Sequence, residues 1–334
     1  MDPLTLDELD RRLVHALQVD GRVSFGRLGE VLEVSDRTLS RRYRRLRGAG
    51  VLRVVGVPDA RALGRADWLV RMRAVPHAAQ GIAEVLAARE DTSWVALVSG
   101  GAEITCTTRV TAGEALVLPS LPRSPRIVDV TAQRLLRPVA GLGGWPARLA
   151  ALTPSEIAAL RDGEPAVAPG PTPGPVTLTA TDRLLLPLLA RDGRTAWAAL
   201  ASATGWSAPV VARRVTELRR SGVLRLHVDV EPGLFGAPQG SMLWLTVRPD
   251  ALAQVGEALS RHPDVAFGAV TTGATNLVAI VACADDDALH DEVLVPVGAI
   301  DGVTHVDLAP IARQVSRSAP APRGSGAGLP TMAR

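Results

Sequence analysis

Apolar positions along this chain change period in a fixed order, and the order occurs twice. After Asp7 and again after Thr179, leucines recur at three- and four-residue steps, the spacing of a helix buried on one face. Asp10 and Asp182 lie three residues beyond those caps, a capping-box arrangement, and the Asp-Gly pairs at 20 and 192 stop the helices. A second helix is predicted over Phe25 to Val31 and over Trp197 to Ala203. Ser35 and Ser207 then cap a third, which ends before Gly50 and Gly222. Pro187 falls inside the first helix of the second copy and should kink it. Val51 to Val57 and Val223 to Val230 read as strands.

A different rhythm follows each helical unit. Trp68 to Arg73 predicts a strand, His77 to Arg89 a helix, Ser93 to Ser99 and Ile104 to Val110 strands, Ala112 to Leu118 a short helix, and Ile127 to Leu135 a strand. The second copy gives Met242 to Val247, Ala251 to Arg261, Val265 to Thr271, Leu277 to Ala282, Asp287 to Val295 and Val303 to Ile311. That order is βαββαβ, the ferredoxin-like motif, whose helices cover only one sheet face. The other face needs cover, and another copy can supply it.

The two helical units superpose without a gap at a constant offset of 172 positions, Asp10 on Asp182, Asp20-Gly21-Arg22 on Asp192-Gly193-Arg194, and Gly50-Val51-Leu52-Arg53 on Gly222-Val223-Leu224-Arg225. The fold class expected is therefore α+β, two tandem copies of a winged helix-turn-helix followed by a ferredoxin-like domain. The helix-turn-helix units should occupy 4–57 and 177–231 and the αβ domains 64–139 and 238–316. Between the copies, 140–176 is dense in Gly and Pro and reads as a spacer, with Thr153-Pro154-Ser155-Glu156 able to start one short helix. Residues 317–334 have the composition of a disordered tail.

Charge matters here by its location. The net charge is only +3 and the chain has no lysine, so all 37 basic residues are arginine, a bias that a GC-rich genome also explains. From Ser35 to Arg47, however, six arginines face one acid, Asp36. A helix that buries Leu39, Tyr43 and Leu46 turns Arg37, Arg41 and Arg44 outward, with Ser40 and Arg45 on the flanks. Such a face fits the major groove of double-stranded DNA, where arginine pairs with guanine or neutralises phosphate. Ser35, Thr38 and Arg42 complete the expected contact set. In the second copy Val211, Val215 and Leu218 form the buried stripe, leaving Pro209, Arg213 and Thr216 outward with Glu217 beside them; Ser207, Arg213, Arg214 and Thr216 are the candidate contacts there. The first module should do most of the base reading.

These residues carry a family resemblance. Asp10, Leu17 and Asp20-Gly21-Arg22, then Ser35, Arg41-Arg42, Leu46 and Gly50-Val51-Leu52, followed by a βαββαβ unit, resemble the Lrp/AsnC family of bacterial and archaeal transcription regulators. The resemblance implies a helix-turn-helix joined to a ligand-responsive, dimer-forming αβ domain, and thus a homo-oligomer with amino-acid or related effectors and no cofactor. It places the effector near the turn between the middle two strands: Gly100, Gly101 and Glu103 in the first copy, Gly273 and Asn276 in the second. Neither copy has the family's aspartate. Ordinary hairpin turns in a domain used only for assembly are the alternative.

Two further readings stand beside a regulator. Sirohaem decarboxylases resemble the same two-domain unit, with Asn-His-Arg before Leu-Gly in the hairpin after the helix-turn-helix. Asp59-Ala60-Arg61-Ala62-Leu63-Gly64 and Glu231-Pro232-Gly233-Leu234-Phe235-Gly236 lack that histidine. An architectural, weakly specific DNA binder is the other. Cys106 and Cys283 lie far apart in apolar runs and read as buried thiols. No apolar stretch approaches a membrane span and the N-terminus is acidic, so a cytoplasmic, non-enzymatic protein without membrane contact is expected.

Overall fold

The computed structural model describes residues 5–89, 91–111, 126–141, 150–161 and 178–316. The first helical unit is α1 (Glu8–Val19), α2 (Phe25–Leu32) and α3 (Asp36–Gly48), followed by β1 (Leu52–Pro58). The Asp7/Asp10 capping box forms at α1, and Ser35 caps α3 by accepting from the Thr38 amide. After β1 come β2 (Arg65–Ala74), α4 (Pro76–Ala87), β3 (Thr92–Val98), β4 (Glu103–Thr111) and β5 (Ile127–Ala140). The helix expected over Ala112 to Leu118 lies outside the described residues, as do the centre of the spacer and the tail.

The second copy repeats the order with α6 (Ala180–Arg191), α7 (Trp197–Thr204), α8 (Ala208–Arg220), β6 (Leu224–Val230), β7 (Gln239–Val247), α9 (Leu252–Arg261), β8 (Val265–Thr271) and β9 (Leu277–Cys283). A helical stretch, α10, runs as Asp286–Ala288, a π-helical Leu289–Leu294 and Val295–Gly298, before β10 (Val303–Ser316). Thr179 and Asp182 form the second capping box. One expectation needs correction: Ser207 makes no side-chain cap bond to α8. Pro187 lies inside α6, as expected, and the helix continues past it to Arg191.

Cover for the open sheet faces comes from within the chain. Eight strands close a barrel in the order β10-β3-β4-β2-β5-β8-β9-β7. The last strand of each αβ unit is longer than its apolar alternation predicts, and the surplus is what crosses over. Leu135 to Ala140 of β5 pair with β8, and Ile311 to Ser316 of β10 pair with β3. Leu69, Ala96, Val98, Met242, Trp244 and Val278 fill the space between the units, while α4, α9 and α10 cover separate apolar clusters outside. Cys106 is buried in the first of these, which pushes its thiol pKa up to about 11.

The helical units are joined as closely. β1 and β6 form a two-stranded antiparallel sheet in which Val55 faces His227, its counterpart at the repeat offset, so a pseudo-twofold axis passes between them. Leu226 and Val228 complete the first helical core, and Ala62 and Leu63 pack on the second. The Asp-Gly-Arg repeats supply a reciprocal lock. Arg22 donates to the carbonyls of Gly193 (2.5 Å) and Thr195 (2.8 Å) and stacks on Trp197; Arg194 donates to those of Gly21 (2.8 Å) and Val23 (2.9 Å). Arg47 pairs with Asp192 and Arg219 with Asp20. The backbones approach so closely that a Cβ on Gly21 would lie 2.9 Å from Leu226 Cβ. Burial and the neighbouring Arg194 and Arg219 lower the Arg22 pKa to about 10, still charged at neutral pH. Arg22→Ala strips two charge-assisted bonds and a ring contact from a half-buried site, so a loss of about 2–3 kcal/mol in urea unfolding is expected. An unchanged midpoint would show the lock to be idle.

The spacer is more than a spacer. α5 (Pro154–Arg161) docks on the first helical unit through Leu152, Ile157 and Leu160, with Arg12 paired to Glu156 and Arg27 donating to the Ala159 carbonyl. Nδ1 of His15 accepts from the amides of Ala151 (3.1 Å) and Leu152 (3.2 Å), which requires it to be unprotonated. Burial lowers the His15 pKa, against a smaller opposing pull from Glu156. A histidine depressed on folding contributes stability that is full above its unfolded value of about 6.5 and is lost as pH falls through the lower folded value. Amide exchange over 151–161, corrected for intrinsic rates, should therefore accelerate on acidification, and His15→Asn, which keeps an acceptor but does not titrate, should suppress the effect.

Candidate nucleic-acid interface and ligand turns

In each helical unit the third helix is held by the first through one buried aspartate. Asp10 is 0% exposed; it accepts from Arg42 (3.0 Å) and pairs with Arg45, while Arg42 also bonds Asp7 (2.5 Å). The second unit repeats this with Asp182, which accepts from Arg214 at 2.9 and 2.7 Å; Arg214 also reaches Glu217 (3.1 Å). Bonds from Asp7 raise the Arg42 pKa against the opposing effect of burial, and bonds from Asp182 do the same for Arg214. The expected DNA-contact role of Arg42 and Arg214 is accordingly corrected: both guanidinium groups turn inward and fix the helix. Arg45 is shared, paired with Asp10 yet 45% exposed along its side chain. A helical wheel cannot see the partner of Arg42 or of Arg214, which lies 32 positions away.

Fixing α3 on α1 sets its outer face. Leu39, Tyr43 and Leu46 are buried, and Arg37, Arg41 and Arg44 are exposed in a row, with Arg44 bonded to Ser40 (2.9 Å). Ser35 and Thr38 sit at the first turn, their hydroxyls 2.8 Å apart. The turn before α3 needs a left-handed residue, supplied by Glu33 (φ 56°) here and by Gly205 (φ 74°) in the second copy. On α8 the buried stripe is Val211, Val215 and Leu218, and the outer face is much less basic. Arg213 is exposed but lies 3.9 Å from Glu217, and the Thr216 hydroxyl is spent on the Ala212 carbonyl (3.0 Å). Ser207 is exposed at its start.

The candidate effector turns face the opposite copy. In the first, Ser99, Gly100 and Gly101 all adopt left-handed backbone (φ 54°, 67° and 88°). Glu103 is buried at 6% exposure and already paired with Arg71 (2.7 Å) and Arg73 (3.2 Å). Arg71 in turn bonds Asp307 of the second copy (2.6 Å) and lies over the Trp244 ring; burial would lower its pKa, but Asp307 and Glu103 outweigh this and raise it. Glu103 thus has its charge compensated, which corrects its expected role as a free anion for an ammonium group. Asn276 is likewise committed, accepting from the Val247 amide (2.8 Å) and donating to its carbonyl (2.7 Å). Gly273, at φ 105°, meets a residue that sequence reasoning missed. Gln133 of the first copy directs the two N–H groups of Nε2 among the Thr272 carbonyl (3.0 Å), the Thr275 carbonyl (2.6 Å) and the Thr275 hydroxyl (2.8 Å), two of which share one hydrogen. Only the cross-copy pairing of β5 with β8 brings it there.

A pair of helix-turn-helix units locked about a pseudo-twofold axis, together with a barrel made from two αβ units, gives a dimer-like pair of helix-turn-helix and αβ modules folded from one chain. Comparison with known proteins gives the same result. The AsnC-type helix-turn-helix domain matches residues 6–47 and 178–219, and the Lrp/AsnC ligand binding domain matches residues 241–321. The transcriptional regulator LrpA of Pyrococcus abyssi is 28% identical over 126 residues, 37% of this chain and 89% of its own length. LrpA1 of Halobacterium salinarum is 29% identical over 126 residues, with the same coverage. Among solved structures, the siroheme decarboxylase NirDL bound to an iron-uroporphyrin III analogue shares the fold along 94% of this chain and 95% of its own, with a TM-score of 0.63 and 15% identity. The chain thus carries two AsnC-type helix-turn-helix units and one matched Lrp/AsnC ligand binding domain, and is similar over these segments to Lrp-type transcription regulators. Among the described residues, no helix is long and apolar enough to cross a membrane.

Proposed function

We propose that this chain is a sequence-specific, cytoplasmic DNA-binding transcription regulator, without a catalytic step, whose αβ pair responds to an amino acid or related small metabolite. The observation that carries the reading is the row of Arg37, Arg41 and Arg44, exposed on a helix whose opposite face is buried. Double-stranded DNA is the partner that such a row fits, through phosphates and guanine edges. Arg45, Ser35, Thr38 and Ser40 border that surface, with Arg213, Ser207 and Thr216 forming the weaker one. Association of whole chains would set several such pairs along one duplex. Footprinting on the chain's own upstream region, with and without amino acids, tests the reading. A protected site that shifts with effector supports it; uniform, sequence-blind protection favours an architectural binder.

A second reading has one observation in its favour, the likeness of fold to NirDL over nearly the full chain. The residues weigh against it. Neither hairpin after the helical units holds a histidine, Asp59 is engaged by Arg61, and His15 is committed to the α5 segment. Incubation with sirohaem followed by a search for a Soret band separates the two, and no band is expected.

A further inference from the structure

One face of the helical unit is covered in the first copy and bare in the second. On the first unit, α5 and the residues before it lie across α1 and α2, where Arg12 pairs with Glu156, His15 accepts from the Ala151 and Leu152 amides, and Arg27 donates to the Ala159 carbonyl. At the repeat offset these three gripping residues become Leu184, Pro187 and Ala199, and the neighbouring Ala16 and Val31 become Leu188 and Ala203. A polar clasp has turned into an apolar patch. Leu184 is 56% exposed, and Pro187, Ala199 and Ala203 are exposed with it. The occupant is indicated by a second register: β5 and β10 match residue for residue, Ile127 on Val303 and Ala140 on Ser316, and each pairs with the opposite copy. Continued without a gap, that register lays Leu329-Pro330-Thr331-Met332 on Thr153-Pro154-Ser155-Glu156. Glu156 thus falls on Met332, while its partner Arg12 falls on Leu184. Both members of the ion pair have become apolar together, the exchange that keeps a contact, whereas changing one alone strands a charge.

We infer that the segment around Leu329 and Met332 docks on the Leu184 face of the second helical unit, as the start of α5 docks on the first. Its reach is matched: the chain has as many residues from Ser316 to Leu329 as from Ala140 to Thr153, a run able to span about 40 Å when extended. The barrel order is unchanged when the copies are exchanged, so both strand ends leave it from equivalent places. Size favours a tethered segment over a second chain. Leu184, Pro187, Leu188 and two alanines offer far less than the roughly 800 Å² per partner of a stable association between separate molecules. A segment on a short linker needs less, because tethering holds it at an effective concentration on the order of millimolar. Neither DNA nor an effector enters this contact.

Methionine labelled with carbon-13 at its methyl group supplies the probe, since the chain has only Met1, Met72, Met242 and Met332. In NMR spectra of the full chain the Met332 methyl should show nuclear Overhauser contacts to Leu184 and lie away from the position of a free methionine. Leu184→Arg should return it to that position, while the signals of Met72 and Met242, both buried, stay in place and report an intact fold. Amide exchange over 180–191 should accelerate in Leu184→Arg and in Met332→Glu. The two changes combined, which copy the Arg12–Glu156 pair, should slow it again. A free Met332 signal in the wild type, or a displaced one that Leu184→Arg leaves unmoved, would overturn the inference. So would a Leu184 contact that fades on dilution, because the face would then belong to a second copy.

Discussion

Replacing Arg41 by alanine is expected to weaken operator binding strongly at physiological salt, whereas Arg213→Ala should weaken it less. Arg41 stands at the centre of the exposed row on α3, where one arginine reading a base edge is worth about 1–3 kcal/mol, roughly five- to 150-fold in affinity. Arg213 has Glu217 near it and a neighbouring hydroxyl turned back onto its own helix, so its surface begins with less to lose. Mobility-shift titrations at several salt concentrations would separate two kinds of loss. A lost phosphate contact lowers the slope of log affinity against log salt by about 0.9, while a lost base contact relaxes specificity at one position. Equal losses at Arg41 and Arg213 would refute the division of labour between the modules.

Asp10→Ala should destabilise the first helical unit by about 3 kcal/mol. Breaking a buried ion pair costs about 3–5 kcal/mol, and the lower end applies because Arg42 and Arg45 keep some access to water and Arg42 keeps Asp7. The same substitution removes one half of the capping box. Asp36→Ala, on the exposed start of α3, is the control and should stay within about 0.5 kcal/mol. Urea unfolding of the three proteins decides the matter; matching midpoints would mean that the clasp contributes nothing. Its counterpart Asp182 predicts the pH dependence. Burial would raise the Asp182 pKa, but bonds from Arg214 and Thr179 hold it below the usual carboxylate value. A depressed carboxylate contributes stability that is present above its unfolded pKa, about 3.9, and is lost as pH falls through the folded value. The second unit should therefore weaken below about pH 4.

Local pattern made much of this legible beforehand. The caps at Asp7 and Thr179, the stripe of Leu39, Tyr43 and Leu46, and the βαββαβ order all depend on neighbours within a few positions, which periodicity records. Contacts across the two copies were not legible. Asp-Gly-Arg reads as a helix stop in one copy, and only the packed pair shows Arg22 and Arg194 gripping the opposite backbone. Glu103 reads as an available anion until Arg71 and Arg73 are placed on the adjoining strand. Gln133 carries no local signal, since a glutamine in a strand has no motif and its acceptors lie 139 and 142 positions further on. A clue was present in the repeat itself: Asp-Gly-Arg is preserved at both ends of the offset, which a mere terminator does not require.

The meeting of Val55 with His227 on the pseudo-twofold axis has a consequence for how such a protein can change. When two identical chains associate, any residue on the axis confronts itself, and every mutation arrives on both sides at once. A single polypeptide is released from that constraint. Valine can answer histidine, three outward arginines can stand beside one, and a glutamine can fill one of two otherwise matching turns, each altered without its mirror image. Linkage also keeps the halves together at any dilution, so neither must preserve self-complementarity in order to find a partner.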